Sequence, residues 1–366
     1  MGFRELWLRH RRAWTGSLAG LVMYAAVSML VLPAARSNAE EQPAGLALAA
    51  RALRLYEMRP PEAAAVRLRA HVKLLGLVSG TREGDYLLVF LSPERWFEQT
   101  LFPGYSELAG VAGNERWRKR NVVDKPFRMH ELSAALDLSA HLRTPPDVRI
   151  VKSWDETVLG TPASCIRVAP SSWLWQKGIA GRTAANELKR EEDKKVALCF
   201  ASAEGRLLKA DYGFTLPRYE YEGNMTLGAT SYPKVLRCYE ESSLVVEATV
   251  TEFIADPGQT DPAAFVPPAG AEKWPACATP EPPRAAARYN LSNDAYSKAR
   301  RIFGTVLFQA EIGTDGTIHD LAPLELKHAD LTVAVQDTVA KWHYQPATCG
   351  GTPVPYEFFF ALTFPP

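Results

Sequence analysis

Residues 65–75 read AVRLRAHVKLL. Val66, Leu68, Ala70, Val72 and Leu74 alternate with Arg67, Arg69, His71 and Lys73. Successive side chains of an extended chain point to opposite faces, so a period of two makes one apolar face and one charged face. A helix would scatter the same residues around its circumference. The stretch therefore predicts a half-buried strand, in an antiparallel sheet with one face on a core and one in water.

The pattern recurs on the C-terminal side. DYLLVFLS (85–92), RWFEQTLF (95–102), ERWRKRN (115–121), VRIVKSW (148–154) and SCIRVAP (164–170) read as further strands. KVALCFA (195–201), RLLKADYGF (206–214), YPKVLRCYE (232–240) and SLVVEATVTEF (243–253) continue the series, with Gly, Pro, Asn or Asp turns between them. Two segments have helical spacing instead. AGLALAARALRLYE (44–57) is stopped by Pro60 and Pro61, and DKPFRMHELSAALDL (124–138) has Pro126 in its first turn. Residues 176–195 are polar and charged and read as an exposed loop. Residues 46–266 are thus expected to form one many-stranded antiparallel sheet with a few helices. Curled into a half-barrel, such a sheet holds an apolar ligand if room remains inside.

Length and composition agree with this. The chain has 366 residues, 47% of them apolar and 23% charged, enough for two domains of ordinary globular composition. A net charge of +1 gives no reason to expect a nucleic-acid partner. The N-terminus is different. Arg4, Arg9, Arg11 and Arg12 precede an uncharged apolar run from Ala13 to Ala35. That order predicts a membrane helix with a cytoplasmic N-terminus and an exported remainder. Ser37, Asn38 and Ala39 also suit a signal-peptidase site, so a cleaved signal and a soluble periplasmic protein is the alternative. Residues 266–288 carry six prolines and read as an extended linker, reaching about 70 Å at most.

Export permits disulfides, and the five cysteines allow two pairs at most. No two cysteines are close in sequence and none has a histidine at ligand spacing, so no metal site is expected. Cys165 and Cys199 sit on strands flanking the charged loop, where they are placed to face each other. The seven histidines lie outside any nucleophile elbow or H-E-x-x-H phrase, and no glycine-rich phosphate loop occurs. The expectation is a binding protein, with no catalytic residues and no cofactor.

Residues 304–325, GTVLFQAEIGTDGTIHDLAPLE, read as two strands joined by an Asp315–Gly316 hairpin turn. A helix is expected from Asp330 to Trp342, with Leu331, Val335, Val339 and Trp342 as its buried stripe. Val354, Tyr356, Phe358, Phe360, Leu362 and Phe364 then share one face of a last strand.

This ββαβ order resembles the C-terminal domain of the TonB family. The resemblance rests on Gly304 and Val306 in the first strand, Asp315 and Gly316 in the turn, and Trp342, Tyr344 and Pro346 at the helix end. Gly351, Pro353 and Val354 complete it in the last turn. It implies a small α+β scaffold whose sheet edge pairs with an extended segment of an outer-membrane TonB-dependent receptor or another envelope protein. The candidate edge positions are Val354, Tyr356, Glu357, Phe359, Ala361 and Thr363. Cys277, just ahead of this module, and Cys349, in its turn, are expected to pair, leaving Cys238 as a buried thiol. The β-rich region in turn resembles periplasmic lipoprotein carriers of the LolA type, through strand order and phrases such as GNERWR and CFASAEGRLLKADY. That resemblance implies, as the alternative function, a carrier of lipid or lipoprotein.

The chain departs from energy-transducing TonB proteins in two ways. No histidine lies between Ala13 and Ala35, and a folded β region replaces the long spacer. Coupling to a proton gradient is therefore not expected. The sequence as a whole predicts an α+β envelope protein in four parts. These are a membrane anchor or signal (1–39), a LolA-like β-rich domain (40–266), a Pro-rich linker (267–288) and a TonB-like domain (289–366). The expected location is the inner membrane, crossed once, with periplasmic domains.

Overall fold

The computed structural model describes residues 37–364, apart from 59–63, 77–79, 123–124, 127, 143–148, 170–178, 181–195, 213–216, 241, 260, 278, 288–303, 324–338 and 340. One antiparallel sheet of 13 strands dominates it. From one edge the strands are Glu272–Pro275, Glu115–Arg120, Tyr105–Ala112, Arg95–Phe102, Arg82–Ser92 and Ala65–Leu74. They continue as Ser243–Asp256, Val235–Glu240, Arg218–Glu222, Leu207–Asp211, Val196–Ala201, Thr161–Ala169 and Arg149–Val158. Hairpins run outward on both sides of a central pair, Ala65–Leu74 with Ser243–Asp256, which joins residues about as far apart in sequence as Ala65 and Asp256.

The strand of residues 65–74 behaves as its period dictates. Val66, Leu68, Val72 and Leu74 are fully buried, while Arg67 reaches Glu252 and Asp256 across the opposite face. Helices cover the apolar face. The helix Ser37–Tyr56 buries Ala49, Ala52 and Tyr56, spaced by three and four residues. Its Tyr56 hydroxyl accepts from the Leu207 amide at 2.8 Å, which satisfies the polar end of a buried ring. A side chain at Gly45 would strike Ile150, so glycine sets how close this helix comes to the sheet. The helices Met129–Leu136 and Leu138–Leu142 add Met129, Leu132, Ala135, Leu138 and Leu142. All of these belong to one apolar cluster with the sheet, so helices occupy the face on which an acyl chain was the alternative expectation.

Arg128, just before Met129, is fully buried in left-handed backbone with φ 83°. Its guanidinium lies 2.8 Å from Glu240 and 3.8 Å from Glu131. Burial and the neighbouring Glu131 push the Glu240 carboxyl up to about 8, against the pull of Arg128. Such a raised acid contributes stability that is complete below the ordinary pKa of about 4.3 and is lost as pH rises through about 8. Urea unfolding at a series of pH values is expected to show stability falling between about pH 4.3 and about pH 8, and Glu240→Gln to flatten that fall. Identical pH profiles for the two proteins would rule out Glu240 as its source.

The sequence expectation of an α+β fold needs correction, because the described residues are mostly β. Among those residues the C-terminal module does not keep the expected ββαβ order. His343–Gln345, Ala347–Cys349 and Thr352–Val354 are short strands, and Tyr356–Phe364 is the last. The Trp342–Tyr344–Pro346 cluster read as a helix end, but Tyr344 lies in a strand paired with Arg284–Ala287. Pro346, Gly350, Gly351 and Pro353 favour extended and turn backbone over helix, which explains the difference. Most of the helix expected from Asp330, with Leu331 and Val335, lies outside the described residues. The expected membrane helix is not supported either. Among the described residues no helix is long and apolar enough to cross a membrane, and Ala13–Ala35 lies outside them.

Both disulfides expected from the sequence are present. Cys165 and Cys199 face each other in register on neighbouring strands, with Cα atoms 4.0 Å apart. Cys277 is bonded to Cys349, Cα atoms 6.0 Å apart, and Cys238 is a buried free thiol. Glu156 approaches Cys165 and Cys199, but those sulfurs are joined to each other and its carboxylate takes Lys209 Nζ at 2.6 Å.

Candidate functional site

The second sheet runs in the order Ile318–Pro323, Gly304–Ile312, Tyr356–Phe364 and Ile179–Ala180. Its first hairpin turns at Asp315 and Gly316. The Asp315 carboxylate accepts from the Thr317 amide at 2.9 Å, and Gly316 has φ 81°. A Cβ at Gly316 would lie 2.0 Å from the Tyr344 carbonyl oxygen, and the Tyr344 amide donates to the Gly316 carbonyl at 3.0 Å. Two residues of the motif, 28 positions apart in the chain, are thus one contact that only glycine allows. Phe308, Ala310, Ile312, Val339, Trp342, Tyr344 and Phe358 form the core beneath, with the Tyr344 and Phe358 rings 5.6 Å apart. Val354 is buried as well. Gly304 and Val306 pair with Phe364 and Leu362 in the backbone ladder. Gly351, with φ 86°, turns the chain from Ala347–Cys349 into Thr352–Val354, and Pro353 faces Thr348 across that hairpin.

Residues 272–287, part of the proline-rich stretch, work as a strap. Glu272–Pro275 is the edge strand of the large sheet, paired with Glu115–Arg118. Cys277 is joined to Cys349, Glu281 bridges to Thr348, and Arg284–Ala287 pairs with His343–Gln345. Strap and last strand together enclose a cleft of about 250 Å³, lined by Arg116, Trp274, Cys277, Val354, Tyr356 and Glu357 among others.

The C-terminal sheet also sits on a row of arginines. Arg116, Arg118 and Arg120 occupy alternate positions of one strand and so share a face. Arg118 forms a bidentate pair with Glu311 at 2.7 and 2.8 Å, takes Glu272 at 3.2 Å, and stacks over the Trp274 ring at 5.5 Å. Burial lowers the Arg118 pKa, but the hydrogen bonds and charges of Glu311 and Glu272 outweigh it and hold the guanidinium charged. Arg120 donates to both Asp320 oxygens at 2.9 Å. Asp320 has left-handed backbone (φ 54°), and its carboxylate also accepts from the Lys125 amide at 2.7 Å. Burial raises the Asp320 pKa, but Lys125 and Arg120 more than offset it and hold the carboxyl below its usual range. His130 Nε2 lies 3.1 Å from the Asp320 carbonyl oxygen, and Nδ1 lies 3.8 Å from Glu357. These seat residues escaped the sequence reading. The signal available was three arginines at period two in ERWRKR, against acidic residues on the first two strands of the module.

The candidate edge is the last strand. Tyr356–Phe364 pairs along its whole length with Gly304–Ile312, from Ile312↔Tyr356 to Gly304↔Phe364. On the other side, among the described residues, pairing is confined to Phe359 and Phe360, which run parallel to Ile179 and Ala180. Of the candidate positions, Val354, Tyr356 and Glu357 line the cleft, and Glu357 also meets Gln309. Phe359, Ala361 and Thr363 lie in the middle and far half of the strand.

Residues 295–365 match the family of the Gram-negative bacterial TonB protein C-terminal domain. The match supports an envelope protein. Solved structures resemble the β-rich part at low identity. A putative outer membrane lipoprotein-sorting protein domain from Vibrio parahaemolyticus is 13% identical with a TM-score of 0.37, over 60% of this chain and 95% of that one. A LolA superfamily protein from Nitrosomonas europaea is 10% identical with a TM-score of 0.34, over 57% and 92%. A DUF1329 family protein from Desulfovibrio piger is 12% identical with a TM-score of 0.37, over 61% and 96%. No curated protein matches the chain.

Proposed function

We propose that this chain binds an extended segment of an outer-membrane receptor by adding it as a strand to the outer side of Tyr356–Phe364. The observation that carries the reading is that strand itself, in a region matching the TonB C-terminal family. It is fully paired on one side and, among the described residues, paired at two residues on the other. An unpaired strand edge offers a row of backbone donors and acceptors, and a partner strand satisfies them with little dependence on its side chains. The large sheet then serves as a platform that fixes the module through the Arg118 and Arg120 pairs and the strap. The occupied apolar face of the large sheet weighs against the alternative of a lipid carrier. The reading is of a binding protein and not an enzyme.

Titration of the full chain with peptides from outer-membrane receptors of the same organism tests it. Each peptide is paired with a version N-methylated at alternate residues. A net value of about 1 kcal/mol per backbone hydrogen bond predicts a loss of roughly 30- to 150-fold when two or three are removed. Equal affinity within each pair, or no binding at millimolar peptide, would sink the proposal.

A further inference from the structure

Arg116, Arg118 and Arg120 share one face of their strand, and the C-terminal module supplies a carboxylate to two of them. Arg118 takes Glu311 and Arg120 takes Asp320. Arg116 is exposed and lines the cleft between the strap and the last strand. Among the described residues no carboxylate lies within ion-pair distance of it. The other charge in the cleft, Glu357, is engaged by Gln309 and lies 3.8 Å from His130 Nδ1. The row thus repeats one piece of chemistry, guanidinium with carboxylate, and its first position is left for a ligand to complete. Resting on the strand-addition reading above, we infer that the cleft is a subsite for an Asp or Glu side chain of the bound segment, held by Arg116.

Place, shape and surroundings fit that occupant. Tyr356 and Glu357 are the first two residues of the last strand and also line the cleft, so a segment paired along that strand reaches the cleft at this end. A volume of about 250 Å³ admits a side chain and excludes a second folded element. Pro275, Pro280 and Pro355 and the bonded Cys277 form much of the wall. Such residues have little rotamer freedom to lose when a ligand enters. Trp274 lies directly opposite Arg116 in the ladder, which places the indole beside the guanidinium. An apolar wall strengthens a charge-assisted bond that a fully solvated arginine would make weakly. A guanidinium also donates two parallel hydrogen bonds to one carboxylate, which favours an acidic side chain over its amide.

The probes are the receptor peptides of the titration above, each extended by Glu or, in a matched version, by Gln, first at one end and then at the other. All are titrated into the full chain, into Arg116→Gln and into Arg116→Lys. A hydrogen bond to a charged group is strong enough to change affinity about tenfold. The wild type is expected to bind the Glu form at one end about tenfold more tightly than its Gln form. Arg116→Gln should abolish that preference and bind the Gln form as the wild type does. Arg116→Lys, which keeps the charge without the two-pronged donor, should retain part of it. Unfolding midpoints near wild type check that both variants are folded.

Equal affinity of the wild type for Glu and Gln forms at both ends overturns the subsite while leaving strand addition standing. A Glu preference that survives in Arg116→Gln overturns it too, as does an equal loss of both forms in that variant. Binding insensitive to N-methylation that still prefers Glu through Arg116 sinks strand addition and leaves the carboxylate site standing. No binding of any form to the wild type overturns both.

Discussion

Asp320→Ala is expected to cost about 3–5 kcal/mol of stability, the range found when one member of a buried ion pair is removed. The side chain of Asp320 is 1% exposed and that of its partner Arg120 is 7% exposed. Alanine leaves the guanidinium desolvated, with Glu107 and Glu311 each 3.8 Å away as weaker substitutes, and leaves the Lys125 amide without its acceptor. Asp320→Asn keeps an acceptor for Lys125 but loses the charge, and should fall between wild type and alanine. Urea denaturation followed separately through near-ultraviolet signal and proteolysis at the strap reads the loss. A cost under about 1 kcal/mol would place the pair among surface ion pairs, which contribute little. The same carboxylate carries a pH signature. Its folded pKa is lowered, so its contribution is present above the ordinary aspartate pKa of about 3.9 and is lost as pH falls through the folded value. Wild-type stability should therefore drop in acid below about pH 4 more steeply than that of Asp320→Asn.

Cys277→Ser with Cys349→Ser is expected to cost about 4 to 5 kcal/mol in the chain-entropy account. The bridge closes a loop between residues 72 apart and removes that freedom from the unfolded chain. The effect should go beyond entropy, because the strap has two functions at this point. It is the edge strand of the large sheet on one side of Cys277 and the partner of His343–Gln345 on the other. Without the bridge, Glu281 and Thr348 and the short Arg284–Ala287 pairing must hold it alone. Denaturation of the double-serine variant, compared with wild type under oxidising and reducing conditions, measures the loss. Stability unchanged in both comparisons would mean that the strap is held by its ladders. Cys165→Ser with Cys199→Ser provides the contrast, since those strands are neighbours in an extensive sheet.

Much of this protein is written in local periodicity. AVRLRAHVKLL alternates, and its apolar members are the buried ones. Asp315–Gly316 is a turn, because an Asp side chain caps the turn amide and glycine accepts positive φ. The two cysteine pairs were placed by sequence position and export alone, and both are bonded. These features depend on one residue and its near neighbours, so the chain states them wherever it folds. The C-terminal module shows the limit. A helix ending at Trp342-Tyr344-Pro346 satisfied local spacing, yet Tyr344 entered a strand because Arg284–Ala287, far earlier in the chain, was there to pair with it.

What only the tertiary structure decided is which surfaces meet. Alternation in Ala65–Leu74 says that one face is buried, but its pairing with Ser243–Asp256 belongs to the whole topology. Arg118 and Arg120 alternate along one strand, but only the fold brings Glu311 and Asp320 against them. A charge row carries no address in sequence: its partner is chosen by where two sheets come to rest, and its strength by the burial that contact creates. The strand edge obeys the same logic. Residues 356–364 announce a strand, but that one side is taken by Gly304–Ile312 and the other touched by Ile179–Ala180 is a property of the assembled fold. Side-chain pattern determines that a strand forms and which face is buried, and backbone hydrogen bonds, which are alike at every residue, leave the choice of neighbour to topology.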